Sequence, residues 1–129
     1  MKPRVLCVDD EPGVLRGMRL NLRRVYEVFT ALNASQALDA IEQKGPFAVV
    51  MTDLRMPGMT GTELLQRLAT RCPNTVGLLL SGAVDPAMEG CSDQAFRVLR
   101  KPCPPNALRE AIAAGVLEYE RRVPSPAIG

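Results

Sequence analysis

The sequence contains no histidine and no tryptophan, and aromatic residues make up only 4% of it. Without histidine, an imidazole cannot serve as general acid or base, and the commonest zinc ligand is missing. The four cysteines, none of them in a CxxC pair, are Cys7, Cys72, Cys91 and Cys103. The scarcity of aromatic rings also argues against a stacking platform for single-stranded nucleic acid. Zinc sites, histidine catalysis and base stacking are therefore set aside.

Long apolar runs are absent as well. No run approaches the length of a transmembrane helix, and the apolar stretch near the amino terminus is too short for a signal peptide. The net charge of +2 comes from both signs spread along the chain, which argues against a polyanion-binding surface. The 129 residues, 47% of them hydrophobic, suit one domain with its own core. We expect a reduced, soluble, cytoplasmic domain with no membrane association and no direct nucleic-acid binding.

Short apolar runs alternate with stretches of helical spacing along the chain. Strands are predicted at residues 4–8, 26–31, 47–52, 75–81 and 96–100, and helices at residues 11–25, 34–44, 61–71, 84–94 and 104–122. Strands 1, 3 and 4 are continuously apolar, as expected when helices cover both faces of a sheet. The pattern predicts an α/β fold with a doubly wound parallel sheet of five strands in three α/β/α layers.

Two details of this prediction concern the first helix and the end of the chain. The helical spacing predicts that the core face of the first helix carries Val14, Met18, Leu22 and Val25. The domain is predicted to span residues 1–122. The Pro-rich residues 123–129 are typical of a frayed tail or of the start of a linker.

Polar residues cluster where the predicted strands end. The residues at these ends are Asp9, Asp10 and Glu11 after strand 1, Asp53 after strand 3, Ser81 at strand 4 and Lys101 after strand 5. In open α/β sheets, ligands bind beyond the carboxyl ends of the strands. Clustered carboxylates repel one another, and Mg²⁺ relieves the repulsion through oxygen ligands while keeping several waters. The set therefore predicts a Mg²⁺ site beside a carboxylate able to form an aspartyl-phosphate.

Each of these residues also has an ordinary structural interpretation. A pair of aspartates before a helix often caps it, and a single aspartate before Met-Pro-Gly can open a turn. Ser-Gly and Lys-Pro are both common after strands. Their joint occurrence, each at the carboxyl end of its strand, favours a functional site.

The segments VLCVDDEP, VVMTDLRMPGMTG, LLLSG and RVLRKP together resemble the receiver domain of bacterial two-component response regulators, such as chemotaxis receivers. The resemblance extends from Arg4 to about Arg122. It implies a flavodoxin-like fold with strand order 2-1-3-4-5. It also implies a phosphoacceptor switch domain rather than a turnover enzyme, with self-catalysed phosphotransfer and slow autodephosphorylation as its only chemistry.

The resemblance implies a role for each residue of the metal site. Asp53 matches the phosphoacceptor and is a metal ligand. Asp10 matches the direct Mg²⁺ ligand, and Asp9 matches the acidic neighbour that reaches the metal through water. The backbone carbonyl of Arg55 matches the remaining protein ligand.

Three further positions match the part of the family site that handles the phosphoryl group and the switch. Ser81 matches the switch hydroxyl, and Lys101 matches the lysine that pairs with the phosphoryl group, followed by a cis peptide bond to Pro102. The position of the family's switch aromatic in strand 5 is Val98 here. A valine cannot make the aromatic's inward rotation. The resemblance therefore does not define how phosphorylation would change the surface of this domain.

The resemblance also implies partners. The phosphoryl donor would be a sensor histidine kinase or a phosphotransfer protein. An output domain beyond Gly129 and a homodimer through the fourth helix, the fifth strand and the fifth helix are candidate further partners.

The same residues bear on three other functions. A Mg²⁺-dependent phosphohydrolase would usually carry a second acid near its nucleophile, but Arg55 stands two residues after Asp53. An interaction-only receiver that has lost phosphorylation is disfavoured by the intact acidic set and favoured slightly by Val98. Dinucleotide binding fails because no GxGxxG follows the first strand.

Overall fold

The computed structural model describes residues 2–82 and 95–124. The strands are β1 (Arg4–Val8), β2 (Glu27–Ala31), β3 (Val49–Asp53), β4 (Val76–Ser81) and β5 (Arg97–Arg100). The helices in these ranges are α1 (Pro12–Leu22), α2 (Ala34–Lys44), α3 (Gly61–Arg71) and α4 (Pro105–Arg122). The helix predicted at residues 84–94 lies outside the described residues, and so do residues 125–129 of the predicted tail.

All five strands form one parallel sheet in the order β2-β1-β3-β4-β5. This confirms the predicted fold class and strand order. Within the described ranges, no helix is both long enough and apolar enough to cross a membrane.

Of the helices in the described ranges, two pack on each face of the sheet, and the alternation of side chains along the strands divides the core in two. One cluster joins strand residues to α1 and α4, and its largest members include Met18, Leu22, Met51, Leu78, Leu80 and Ile112. The other joins the opposite strand face to α2 and α3, and includes Leu6, Phe47, Leu64, Leu65, Leu68 and Leu79. Because β1, β3 and β4 contribute to both clusters, their sequences are continuously apolar.

The first helix departs from its predicted core face. Val25 is 60% exposed, whereas Leu15 is buried in its place. The helix ends at Leu22, and the backbone N–H groups of Val25 and Tyr26 both donate to the carbonyl of Leu22. The resulting turn buries Tyr26 and leaves Val25 in solvent, so the prediction for Val25 was wrong.

Local hydrogen bonds explain where α2 and α3 begin. The Asn33 side chain accepts the backbone N–H of Gln36, and the Thr60 hydroxyl accepts that of Glu63. These bonds satisfy N–H groups that the first turn of a helix leaves without a carbonyl partner. The start of α3 matters for the site, because the loop before it begins at Asp53.

Candidate functional site

The parallel register brings the predicted site residues to one edge of the sheet. Val8 of β1 pairs with Thr52 of β3, so Asp9, just after β1, and Asp53, the last residue of β3, lie at neighbouring strand ends. The backbone N–H of Lys101 donates to the carbonyl of Ser81 at 2.8 Å, which joins the ends of β4 and β5. The site therefore forms through strand pairing between residues that are up to ninety-two positions apart.

Three carboxylates converge at this edge. One oxygen from each of Asp9, Asp10 and Asp53 lies within 4.8 Å of the others. Asp9 is fully buried and Asp53 is 8% exposed, whereas Asp10 faces solvent. Three hard oxygen donors at this spacing, with one side open to water, fit the needs of Mg²⁺, which keeps part of its hydration shell.

Lys101 ties two of these carboxylates together. Its Nζ atom lies 3.1 Å from Asp9 Oδ2 and 3.0 Å from Asp53 Oδ2. The cluster thus has three carboxylates and one ammonium, which contacts two of them, and it retains negative charge that a divalent cation would neutralise. The sequence had predicted that Lys101 would pair with a phosphoryl group, and its contact with Asp9 was not predicted.

The pKa values reflect this crowding. Burial raises the pKa of Asp53 above its ordinary value, and the neighbouring Asp9 charge adds to the rise, although Lys101 and a backbone hydrogen bond from Arg55 oppose it. Burial by itself would lower the pKa of Lys101, but hydrogen bonds to Asp53 and Asp9 raise it. Lys101 is therefore held in its charged form, whereas burial disfavours the ionised form of its neighbour Asp53.

Asp9 also has the ordinary structural role expected of an aspartate just before a helix. Its Oδ1 atom accepts the backbone N–H of Glu11 at 2.9 Å, at the start of α1. The N-cap residue itself is Glu11, and Pro12 begins the helix. This bond holds the Asp9 carboxylate with one oxygen toward α1 and the other toward Lys101.

Ser81 lies at the same edge and is buried. Its hydroxyl donates to the carbonyl of Gly82 at 3.2 Å. The structure therefore places the hydroxyl at the same edge of the sheet as the carboxylates, bonded to its own neighbour. Its predicted bond to a phosphoryl oxygen stays a prediction, as does the metal contact of the Arg55 carbonyl.

The Met-Pro-Gly segment shows why β3 ends so abruptly on Asp53. Gly58 has φ = 84°, a left-handed conformation that glycine adopts readily. The chain then returns so closely that a Cβ atom on Gly61 would lie 2.3 Å from the backbone oxygen of Asp53. The N–H of Gly61 donates to the carbonyl of Leu54 at 2.9 Å. Glycine at position 61 thus lets α3 begin directly behind the candidate phosphoacceptor.

The peptide bond between Lys101 and Pro102 is cis, as predicted, and the bond between Gly45 and Pro46 is cis as well. Val98 is partly buried against the cluster on the α2–α3 face. Phe96, two residues earlier, is 38% exposed, and its ring lies 5.7 Å from the guanidinium carbon of Arg97. Position 98 in β5 is thus a valine, which has no aromatic ring that could rotate inward.

Two buried aspartates, an exposed third and a bridging lysine, at the carboxyl edge of a 2-1-3-4-5 parallel sheet, define a class of phosphoacceptor domains. The sequence model of the response regulator receiver domain matches residues 5–113. The chain belongs to this family, and it is a receiver domain of two-component response regulators. The resemblance found in the sequence is thereby confirmed.

Curated relatives and solved structures agree with this assignment. The response regulator PilR of Pseudomonas aeruginosa is 30% identical over 89% of this chain and 26% of PilR. The alginate biosynthesis regulator AlgB of Pseudomonas syringae pv. tomato is 36% identical over 85% of this chain and 25% of AlgB. The chain thus spans about a quarter of these relatives' length.

Two solved structures share the whole fold. A CheY-like receiver domain protein from Methanospirillum hungatei JF-1 superposes with a TM-score of 0.88, at 28% identity, over 95% of this chain and all of that one. A chain from the crystal structure of adenylate cyclase from Rhodopirellula baltica has a TM-score of 0.87 and 40% identity, over 94% of this chain and 92% of that one.

Proposed function

We propose that Asp53 accepts a phosphoryl group from a sensor histidine kinase or phosphotransfer protein, with Mg²⁺ held by Asp9, Asp10, Asp53 and the backbone carbonyl of Arg55. One observation carries the proposal: three carboxylates lie within 4.8 Å of one another, and Lys101 is 3.0 Å from Asp53. Such a set is costly to bury unless a cation completes it.

In the proposed transfer, an oxygen of Asp53 attacks the phosphorus of a phosphohistidine. The P–N bond breaks, its electron pair stays on the imidazole, and an aspartyl-phosphate forms. Mg²⁺ would supply charge neutralisation on the transferring oxygens. Lys101 exchanges its contact with Asp53 for one with a phosphoryl oxygen, and the Ser81 hydroxyl turns from Gly82 to donate to another. Slow hydrolysis of the acyl phosphate by water would return the domain to its starting state.

We further propose that residues 1–122 form the receiver and residues 123–129 begin a linker to an output domain beyond Gly129. The fourfold greater length of the curated relatives supports this. A cytoplasmic location and a homodimer through residues 84–94, β5 and α4 complete the proposal. Because position 98 is a valine, the effect of phosphorylation would then have to pass from Ser81 to the interaction surface without the rotation of an aromatic side chain.

The test is intact-mass spectrometry after incubation with acetyl phosphate and Mg²⁺. We expect a gain of one phosphoryl group in the wild type and in Asp39→Asn, a control that removes an exposed aspartate on α2. We expect no gain in Asp53→Ala or in the presence of EDTA.

Modification of Asp53→Ala would refute Asp53 as the acceptor. Absence of any gain in folded wild-type protein that binds Mg²⁺ would favour the interaction-only receiver. Release of inorganic phosphate so fast that no phosphorylated protein accumulates would favour the phosphohydrolase.

A further inference from the structure

A groove of about 500 Å³ lies between α1 and the start of α4, beside Lys101. We call it the α1–α4 groove, and its walls include Gly13, Gly17, Met18, Cys103, Pro105 and Leu108. Small-molecule sites in proteins typically measure about 300–1,000 Å³ and are mostly apolar with a few polar groups. In size and chemistry the α1–α4 groove has the character of such a site.

The groove is open at Gly17 because this residue has no side chain. Beyond its chain neighbours and its own helix backbone, a Cβ atom on Gly17 would meet no described atom within 4 Å, whereas one on Gly115 would come within 2.8 Å of Val49. Gly115 is thus explained by the close approach of α4 to the sheet, but no such approach explains Gly17. Glycine inside a helix lowers stability relative to alanine. The structural consequence of Gly17 is the open space of the groove.

The charges around the groove indicate what it would hold. Lys101 lines it, but this ammonium is already paired with Asp9 and Asp53. Glu11, an exposed residue that also lines the groove, forms no ion pair within 4.0 Å in the described part of the chain. An occupant that brings a positive charge would therefore find its counter-ion in Glu11.

The remaining polar groups of the lining are neutral or engaged. The Asn21 amide donates to the carbonyl of Gly17 at 2.9 Å and accepts from Arg109 at 3.3 Å. Burial raises the pKa of the Cys103 thiol, which therefore lines the groove in its neutral form. Apart from Glu11, the lining thus favours an apolar molecule.

We propose that the α1–α4 groove binds a compact, largely apolar organic amine, with its ammonium group at Glu11 and its apolar part against Met18 and Leu108. This goes beyond phosphoacceptance and does not depend on it. Because Lys101 borders both the groove and the carboxylates, the occupant would contact the residue that holds Asp53.

The test is a titration of the isotope-labelled protein with benzylamine, followed through its backbone amide NMR signals. Benzyl alcohol and benzoate serve as neutral and anionic probes of similar size. We expect saturable shifts at Gly13, Gly17, Cys103 and Leu108 with benzylamine, at least tenfold weaker binding of benzyl alcohol and none of benzoate. No saturable shift with benzylamine, or equal binding of benzoate, would overturn the proposal.

Two variants and a control locate the site. Gly17→Leu places a side chain in the open space and should abolish binding, whereas Gln43→Leu adds the same side chain to an exposed position of α2 and should leave binding unchanged. Glu11→Gln should reduce benzylamine binding to the level of benzyl alcohol. Wild-type affinity in folded Gly17→Leu would overturn the proposal. If Gly17→Leu does not fold, unchanged affinity in Glu11→Gln would overturn it independently.

Discussion

At the amino-terminal end of the sheet, the buried hydroxyl of Thr75 donates to the carbonyl of Phe47 at 2.7 Å, whereas at the carboxyl end Asp9 and Asp53 compete for one lysine. The first end uses polar groups to satisfy the backbone. The second gathers like charges that nothing in the described chain fully neutralises. A polar group with a complete set of partners supports the fold, and a set that lacks a partner indicates a binding site.

Asp53, at the carboxyl end of the sheet, and Glu118, in the last turns of α4, show the same contrast. Burial raises the pKa of Asp53, but hydrogen bonds from Arg121 and Arg122 hold the pKa of Glu118 at about 2. Glu118 lies in the last turns of α4, where its oxygens are 2.7 Å from both guanidinium groups. The fold thus stabilises ionised Glu118 and disfavours ionised Asp53.

The largest expected effect is that of Lys101→Met in metal-free buffer. Two buried carboxylates would lose their partner, and we expect the free energy of unfolding to fall by about 3 kcal/mol. Urea denaturation with EDTA measures the loss, and added Mg²⁺ should recover part of it. The control is Arg121→Met, because this arginine is 73% exposed at the other end of α4. Equal losses in the two variants would contradict the contrast between the ends.

A second comparison uses the two buried hydroxyls. Thr75→Val leaves the carbonyl of Phe47 without its donor, and we expect a loss of about 1–2 kcal/mol in thermal or urea unfolding. Ser81→Ala should cost less than about 0.5 kcal/mol, because Gly82 is exposed and water can replace the hydroxyl at its carbonyl. A greater loss in Ser81→Ala would assign that hydroxyl a structural role.

Asp53→Asn should raise the stability of the metal-free domain at neutral pH by about 1 kcal/mol. A carboxyl whose pKa is raised on folding stabilises the fold below its ordinary value of 3.8, and this contribution is lost as the pH rises through the folded value. The gain in Asp53→Asn should therefore shrink as the pH falls through the folded pKa toward 3.8 and should change no further below 3.8. Urea denaturation across this pH range measures it, and a gain that grows toward acid would show that the sign is wrong.

The smallest effect, and the opposite sign, is expected for Glu118→Gln. A carboxyl whose pKa is lowered to about 2 contributes stability above its ordinary value of 4.5, and the contribution is lost as the pH falls toward 2. The variant should therefore be less stable than wild type at neutral pH, and salt should reduce the difference. A difference that persists at pH 2 would have to come from packing instead.

Much of the fold was predictable because its local signals agree. The bounds of β1, α2 and α3 were predicted to the residue, since a continuous apolar run, Asn33 and Thr60 mark them directly. Val25 was misplaced because helical spacing continues past Leu22 in the sequence. The helix ends there in a turn that buries Tyr26 in the core cluster of α1 and α4, and the sequence pattern alone does not reveal that packing.

In the candidate site, too, some features were predictable from the sequence and others were not. The residue types and their places after the strands could be read from the sequence, and the converging carboxylates were expected from parallel pairing. The bridge from Lys101 to Asp9 and the closeness of the Gly61 backbone to that of Asp53 were not expected, because they depend on how the elements pack at the edge.

By itself, the sequence determined the order of strands and helices, the apolar character of β1, β3 and β4, and the chemical groups at the carboxyl edge, because these follow from local propensity and periodicity. Only the tertiary structure decided which carboxylates share Lys101, which way the Ser81 hydroxyl donates, and that Gly17 opens a groove while Gly115 closes a contact. These features arise where separate elements meet, and packing distances between elements are set by the whole core rather than by any one segment.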